Sequence, residues 1–176
     1  DITLITRPRR FGKTLNMDML KCFFSNQYRD QGQLFEGLNI WKEEKYQQLQ
    51  GTYPVIYLSF ADVKQTNYKD AVLKIKKIIT DVYQQYIELA GWEGLTEVQV
   101  RQFQSVDPYM DDVTAQCALK DLSGYLYRYY EKKVIILLDE FDTPMQEAYI
   151  HGYWDEFTAF IRSLFNAAFK TNPYLH

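Results

Sequence analysis

An α/β fold, a parallel β-sheet with helices on both faces, is what this sequence predicts, and three observations carry the prediction. Ile2–Thr6 is an apolar run of strand type that leads through Gly12-Lys13-Thr14 straight into an amphipathic helical pattern. Val134-Ile135-Ile136-Leu137-Leu138 is an unbroken apolar run, mostly β-branched, that ends on Asp139-Glu140. Every strand-like run is followed by helix-like sequence, the order that joins parallel strands by crossover helices.

Each element has its own reason. Ile2–Thr6 reads as the first strand. Lys13 to about Phe24 reads as the first helix, with Leu15, Met19, Leu20, Phe23 and Phe24 on one side. Ser25 to Gly32 is polar and loop-like. Leu34 to Trp41 is apolar without a period and reads as a segment packed over the core. Lys42 to Gly51 is polar, a short exposed helix or loop. Val55–Phe60 is a second core strand, bounded by Pro54 and Asp62. Tyr68 to Ala90 is the clearest helix. Its apolar residues, from Ala71 and Val72 to Ile87 and Ala90, recur at i, i+3, i+4 and i+7. Lys69, Lys74, Lys76 and Lys77 lie opposite and read as a solvated face, because Asp70, Asp81 and Glu88 share the helix.

Gly91 ends that helix, and a short helical turn is expected at about Glu97–Phe103. Asp111 and Asp112 can cap the next helix, which runs to about Glu131 with Ala118, Leu122, Tyr125, Leu126 and Tyr129 inward. Lys132 and Lys133 suit its C-terminal end. After the Val134 strand, Asp142 reads as a residue that caps or braces a loop, and Tyr149 to Gly152 as a turn. Trp154 to Phe169 is a helix that Asn172-Pro173 ends. There is no internal repeat and no low-complexity tract.

The chemistry sits at two of these junctions. Strand, tight loop, Gly-Lys-Thr and helix together make a phosphate-binding loop. Backbone N–H groups at a helix N-terminus point at an anion and the helix dipole favours negative charge there. Gly12 allows close backbone approach, Lys13 can reach terminal phosphates, and the Thr14 hydroxyl can bind Mg²⁺. The usual G-x-x-x-x-G-K-[ST] spacing would place a first glycine where Arg7 stands. A chance GKT after a strand is the competing reading until a second element joins it. Asp139-Glu140 is that element. The carboxyl ends of strands are where open α/β sheets bind ligands. An Asp there can hold Mg²⁺, and a Glu beside it can orient or deprotonate water. Arg7, Arg9, Arg10 and Lys13 place four positive charges within seven residues. Arg9 or Arg10 can help clamp phosphate or pair with acids across the sheet. Arg162 can act as an arginine finger in an oligomer, although a surface ion pair is the plainer reading.

The segment Arg7-Pro8-Arg9-Arg10-Phe11-Gly12-Lys13-Thr14, with Leu4-Ile5-Thr6 before it, resembles the variant Walker A loop of the AAA-ATPase-like family of prokaryotic P-loop proteins. Tyr53 to Phe60 and Val134 to Pro144, with VIILLDE as a Walker B motif, also match that family's pattern. The resemblance spans nearly the whole chain. It implies a P-loop NTPase in which Glu140 and Lys13 are catalytic, and in which Pro8, Arg9, Arg10, Phe11, Gly12, Lys13, Thr14 and Leu15 hold ATP. Thr14 and Asp139 would hold Mg²⁺. The absent first glycine is then a family trait. Members often carry a C-terminal domain that looks like a nuclease, and nothing in these residues matches one. In the resembled class a further strand lies between the Walker A and Walker B strands and follows the helix ending near Asn172. The resemblance thus implies that residues 1–176 form one domain truncated before a central strand, which His176 at most begins, and that this stretch alone is poorly stable.

Composition sets the outer bounds. A chain of 176 residues suits one domain, and 47% hydrophobic with 24% charged residues is ordinary for a globular protein. A net charge of −3 gives no general attraction to nucleic acid, so direct binding of nucleic acid and a role as its motor find no support. No 18-residue apolar run spans a membrane, and no signal peptide is evident. Cys22 and Cys117 sit in apolar helical patterns and read as reduced core residues, which fits a cytoplasmic setting. Two distant histidines and these cysteines make no zinc spacing. Asp139, Glu140 and Asp142 can mimic a nuclease acid cluster, but the lysine such a core needs behind its acid is absent. Two functions follow. One is an ATPase in which Glu140 activates water. The other is a nucleotide-dependent switch or scaffold with little hydrolysis, for which Glu140 would be superfluous. ATP against GTP, oligomerisation, and the process driven are left open.

Overall fold

The computed structural model describes residues 2–6 and 11–176. It opens with α1 (Lys13–Phe24), whose bounds match the amphipathic pattern, and passes through short 3₁₀ turns and α2 (Glu44–Gln47) to β1 (Val55–Ser59). Next come α3 (Tyr68–Gln84), a 3₁₀ turn over Ile87–Gly91, α4 (Glu97–Gln104), α5 (Asp112–Tyr130) and β2 (Ile135–Asp139). The chain finishes with α6 (Asp142–Ile150), α7 (Trp154–Phe165) and a π-helical turn at Asn166–Lys170.

β1 and β2 pair in parallel, in a register that runs from Val55 opposite Ile135 to Ser59 opposite Asp139. Parallel pairing puts both strand C-termini at one edge. Side chains alternate across a strand, so Ile56, Leu58, Ile136 and Leu138 share one face and Tyr57, Ser59, Leu137 and Asp139 the other. The first face lies in the main core with α3, α5 and α7, where Ile75, Ile79, Leu119, Leu122, Phe157 and Leu164 are fully buried. Each such side chain contributes roughly 1.5–3 kcal/mol. Two tyrosines satisfy their hydroxyls inside this core, Tyr83 donating to the Ala118 carbonyl at 2.7 Å and Tyr86 to the Val55 carbonyl at 2.7 Å.

α1 covers the second face. Its C-terminal end is tied to the start of β1: the Ser25–Tyr53 bridge, the Tyr53 N–H to the Phe24 carbonyl at 2.9 Å, and the Gly51 N–H to the Phe23 carbonyl at 2.8 Å. Farther up the helix, the Lys21 ammonium lies 5.1 Å from the centre of the Tyr57 ring. α1 therefore runs back along the strands, and its amino end is directed toward the edge where β1 and β2 finish.

The structure corrects several expectations. Ile2–Thr6 is not a strand: Ile2, Leu4 and Ile5 are exposed, and these residues pair with no neighbouring strand. A strand exists only against a partner edge, and none lies beside this segment among the described residues. The sheet among the described residues is accordingly two-stranded. The expected loop after Glu140 is α6, a helix that tolerates Pro144 because first-turn N–H groups have no intrahelical acceptor. The long helix from Tyr68 stops at Gln84, and Ile87–Gly91 is a 3₁₀ turn. The last helix likewise gives way to a π turn after Phe165. Lys76 is not solvated. Its side chain is 12% exposed and its ammonium sits 2.8 Å from Asp112 at the start of α5. Asp111, not Asp112, caps that helix, accepting from the Thr114 N–H at 2.8 Å. Cys117 lies on the surface rather than in the core, and both cysteines are free thiols.

Beyond the π turn the chain returns to the sheet. The Val134 N–H donates to the Tyr174 carbonyl at 2.9 Å, and the His176 N–H to the Val134 carbonyl at 3.0 Å, in a parallel bridge between Val134 and Leu175. Gly124 permits this return, because a Cβ there would meet the Tyr174 ring at 3.0 Å.

Candidate functional site

Two groups of expected site residues lie at known places. Gly12 is the N-cap of α1, with φ 72°, a left-handed conformation that suits glycine. The Asn16 N–H returns to its carbonyl at 2.9 Å and starts the helix. Lys13, Thr14 and Leu15 form the first turn, Lys13 half-buried, Thr14 and Leu15 exposed, and Phe11 precedes them, exposed. Arg7, Pro8, Arg9 and Arg10 lie outside the described residues.

This helix start differs from the others. α3 is capped by Asn67, α4 by a Thr96 capping box with Gln99, and α5 by Asp111. α2, α6 and α7 have no side-chain cap but place an acidic residue in the first turn. Among the described α-helices, α1 alone has neither. A run of such N–H groups with no cap and no acid in the helix's own first turn leaves the positive end of the dipole without a counter-charge from that turn.

At the other end of the site, Asp139 closes β2. It is 4% exposed, and its Oδ2 is buried with no hydrogen-bond partner. The backbone there is fully engaged, since the Phe60 N–H donates to the Asp139 carbonyl at 3.0 Å. A buried carboxylate oxygen without a partner is costly to keep, and water or a ligand can complete its bonding; Asn26 Oδ1 and Gln65 Oε1 are likewise buried without a partner. Next to it, Glu140 adopts φ 54°, uncommon for a residue with a side chain and found disproportionately at functional positions. Thr143 holds it twice. Its N–H donates to the Glu140 carbonyl at 3.1 Å, and its hydroxyl to Oε2 at 3.2 Å.

The face between these ends is polar. Burial pushes the Tyr57 hydroxyl above its ordinary value, with the Asp139 charge adding to the shift and Lys21 opposing it. Lys21 is itself held up: burial, the largest influence, works against its charge, but the ion pair with Asp18 at 2.5 Å together with the nearby Tyr28 and Cys22 outweighs it. Ser59 stands opposite Asp139 in the register, its hydroxyl accepting from the Ala61 N–H at 3.4 Å.

Asp142 starts α6, and its carboxylate accepts from Gln146 at 3.4 Å, so it braces that helix. Arg162 is exposed on α7 and makes no ion pair with the described residues, contrary to the expected surface pair. Thr143, Ser59 and Tyr57 went unsingled in the sequence. Ser59 and Tyr57 are visible only once the register sets them beside Asp139 and Leu137. Thr143 had one signal, its place three residues after an acid in a Pro-containing first turn. Among the described residues no group of three or more His, Cys, Asp or Glu is placed to hold a metal by itself. No helix is long and apolar enough to cross a membrane.

A family model described as predicted AAA-ATPase matches residues 1–176. No curated protein and no solved structure matches the chain.

Proposed function

The chain belongs to the AAA-ATPase-like family of predicted AAA-ATPases, and from that premise we propose that it binds ATP at the amino end of α1 and hydrolyses it with Glu140. One observation carries the reading. The unpartnered Oδ2 of Asp139 is buried at the sheet edge toward which the uncapped, acid-free start of α1 is directed.

In this reading the residues divide the work. Gly12 lets the backbone close on the phosphates, and the first-turn amides of Thr14 and Leu15 donate to their oxygens. The Lys13 ammonium neutralises the terminal phosphates. Arg9 and Arg10 supply further positive charge from the loop with Pro8 and Phe11. Mg²⁺, when bound with the nucleotide, offsets charge that builds on the phosphate oxygens. Thr14 and Asp139 would hold it, and the orphaned oxygen of Asp139 fits a hard cation that takes oxygen ligands. A site with one protein carboxylate suits Mg²⁺, which takes its other ligands from phosphate and water. Glu140 accepts a proton from water as the water oxygen bonds to the γ-phosphorus. The bond from that phosphorus to the β–γ bridging oxygen breaks, and ADP and phosphate leave. The process this turnover drives, and any attached nuclease-like domain or second copy, would be partners beyond these residues.

Calorimetry with Mg-ATP and Mg-GTP on the wild-type chain, Lys13→Ala and Glu140→Gln tests the reading. We expect binding in the micromolar range, lost in Lys13→Ala and kept in Glu140→Gln, with turnover lost in both. Binding without turnover in the wild type would leave a nucleotide-dependent switch. A folded wild-type chain that binds neither nucleotide would remove the function.

A further inference from the structure

We propose that Thr143 is a positioning residue that sets the Glu140 carboxylate for its encounter with water; the proposal rests on the hydrolytic reading above. Thr143 has two hydrogen-bond donors, and it gives both to the same residue. Its N–H takes the Glu140 carbonyl at 3.1 Å and its hydroxyl takes Oε2 at 3.2 Å. The first bond pins the left-handed backbone of Glu140, at φ 54°. The second fixes the side chain. Oε1 accepts no hydrogen bond from the described residues and is the oxygen left to take a proton. The clasp is rigid because Thr143 lies in the first turn of α6 and the next residue, Pro144, is buried. A glutamate carboxylate on its two-methylene tether samples several rotamers, and a base that must meet one water gains from losing them.

Thr143→Val removes the hydroxyl, keeps the shape, and retains the backbone N–H that holds the Glu140 carbonyl. We expect kcat to fall about tenfold with nucleotide affinity within about twofold of wild type, since the bond bears on the reacting group and not on the phosphates. Thr143→Ser, which restores a hydroxyl, recovers most of the rate. Thr143→Ala, which lacks both the hydroxyl and the bulk of valine, repeats the loss; a wild-type kcat in Thr143→Ala would trace the valine defect to packing and overturn the role. A wild-type kcat in Thr143→Val, a raised kcat, a loss of affinity equal to the loss of rate, or a serine variant as slow as valine overturns the role alone. Tight Mg-ATP binding by a wild-type chain with no turnover overturns the hydrolytic reading and this role together.

Discussion

The two faces of the β1–β2 sheet are made by alternate residues of the same strands and are finished differently. The Ile56–Leu58 face is closed by three helices, and even its tyrosine hydroxyls reach backbone acceptors. The Tyr57–Ser59 face carries one helix, half-buried side chains, and at its end a buried carboxylate oxygen with no partner. The first face is organised for stability. The second bears, at Asp139 Oδ2, a cost that the proposed ligand would relieve. The two faces should therefore answer substitution with opposite signs.

The largest effect belongs to the closed face. Phe157→Ala empties a fully buried site on α7 and should destabilise the chain by about 3–5 kcal/mol, read as a lowered urea midpoint with an unchanged slope. A loss under about 1 kcal/mol would mean that α7 is loosely held and that the contrast is overdrawn. Tyr86→Phe is next. It strands the Val55 carbonyl in the core and should cost about 1–3 kcal/mol in the same assay. Asp139→Asn sharpens the comparison by reversing the sign. The neutral amide is cheaper to bury than an unpartnered carboxylate, so stability should rise by about 1 kcal/mol while Mg²⁺-dependent nucleotide binding falls. A variant that is both less stable and fully able to bind would place the strain, and the site, elsewhere. Breaking the Lys76–Asp112 pair with Lys76→Ala should cost least, about 1 kcal/mol, and should lose part of that cost in high salt.

Much of this was legible in the sequence, for reasons that can be named. The Val55 and Val134 runs announced two strands because apolar β-branched residues bounded by Pro54 and Asp139 have few other uses. The α1 bounds followed from Gly12 and from the spacing of its apolar side. The amphipathic spacing of α3 and α5 placed both helices, although the end of α3 was set too late: Tyr86 turns inward at the end of the helix to reach Val55, and the chain tightens to a 3₁₀ turn there. α6 was missed because Pro144 reads as a breaker, while in a first turn it breaks nothing. Ile2–Thr6 failed for the opposite reason. Its strand propensity is local, and pairing is a property of what lies alongside. The residue types of the proposed site, Gly12-Lys13-Thr14 and Asp139-Glu140, stand in the sequence, but their bonding does not. That Asp139 is unsatisfied, and that Thr143 grips Glu140, depends on register and backbone angle, which no spacing encodes.

The buried tyrosine hydroxyls carry one more consequence, an optical one. Burial holds Tyr83 and Tyr86 well above the ordinary value of about 10, and burial with the neighbouring Asp112 and Asp121 charges pushes Tyr68 and Tyr125 up to about 12. Their protonated forms belong to the folded chain. The stability they lend is whole below about pH 10 and drains as the pH climbs through their folded values, because only the unfolded chain can release those protons early. Tyrosinate absorbance during an alkaline titration should therefore rise in two stages. The second stage should coincide with loss of helical circular dichroism, so the protein's own chromophores report the opening of its core without a dye or a label.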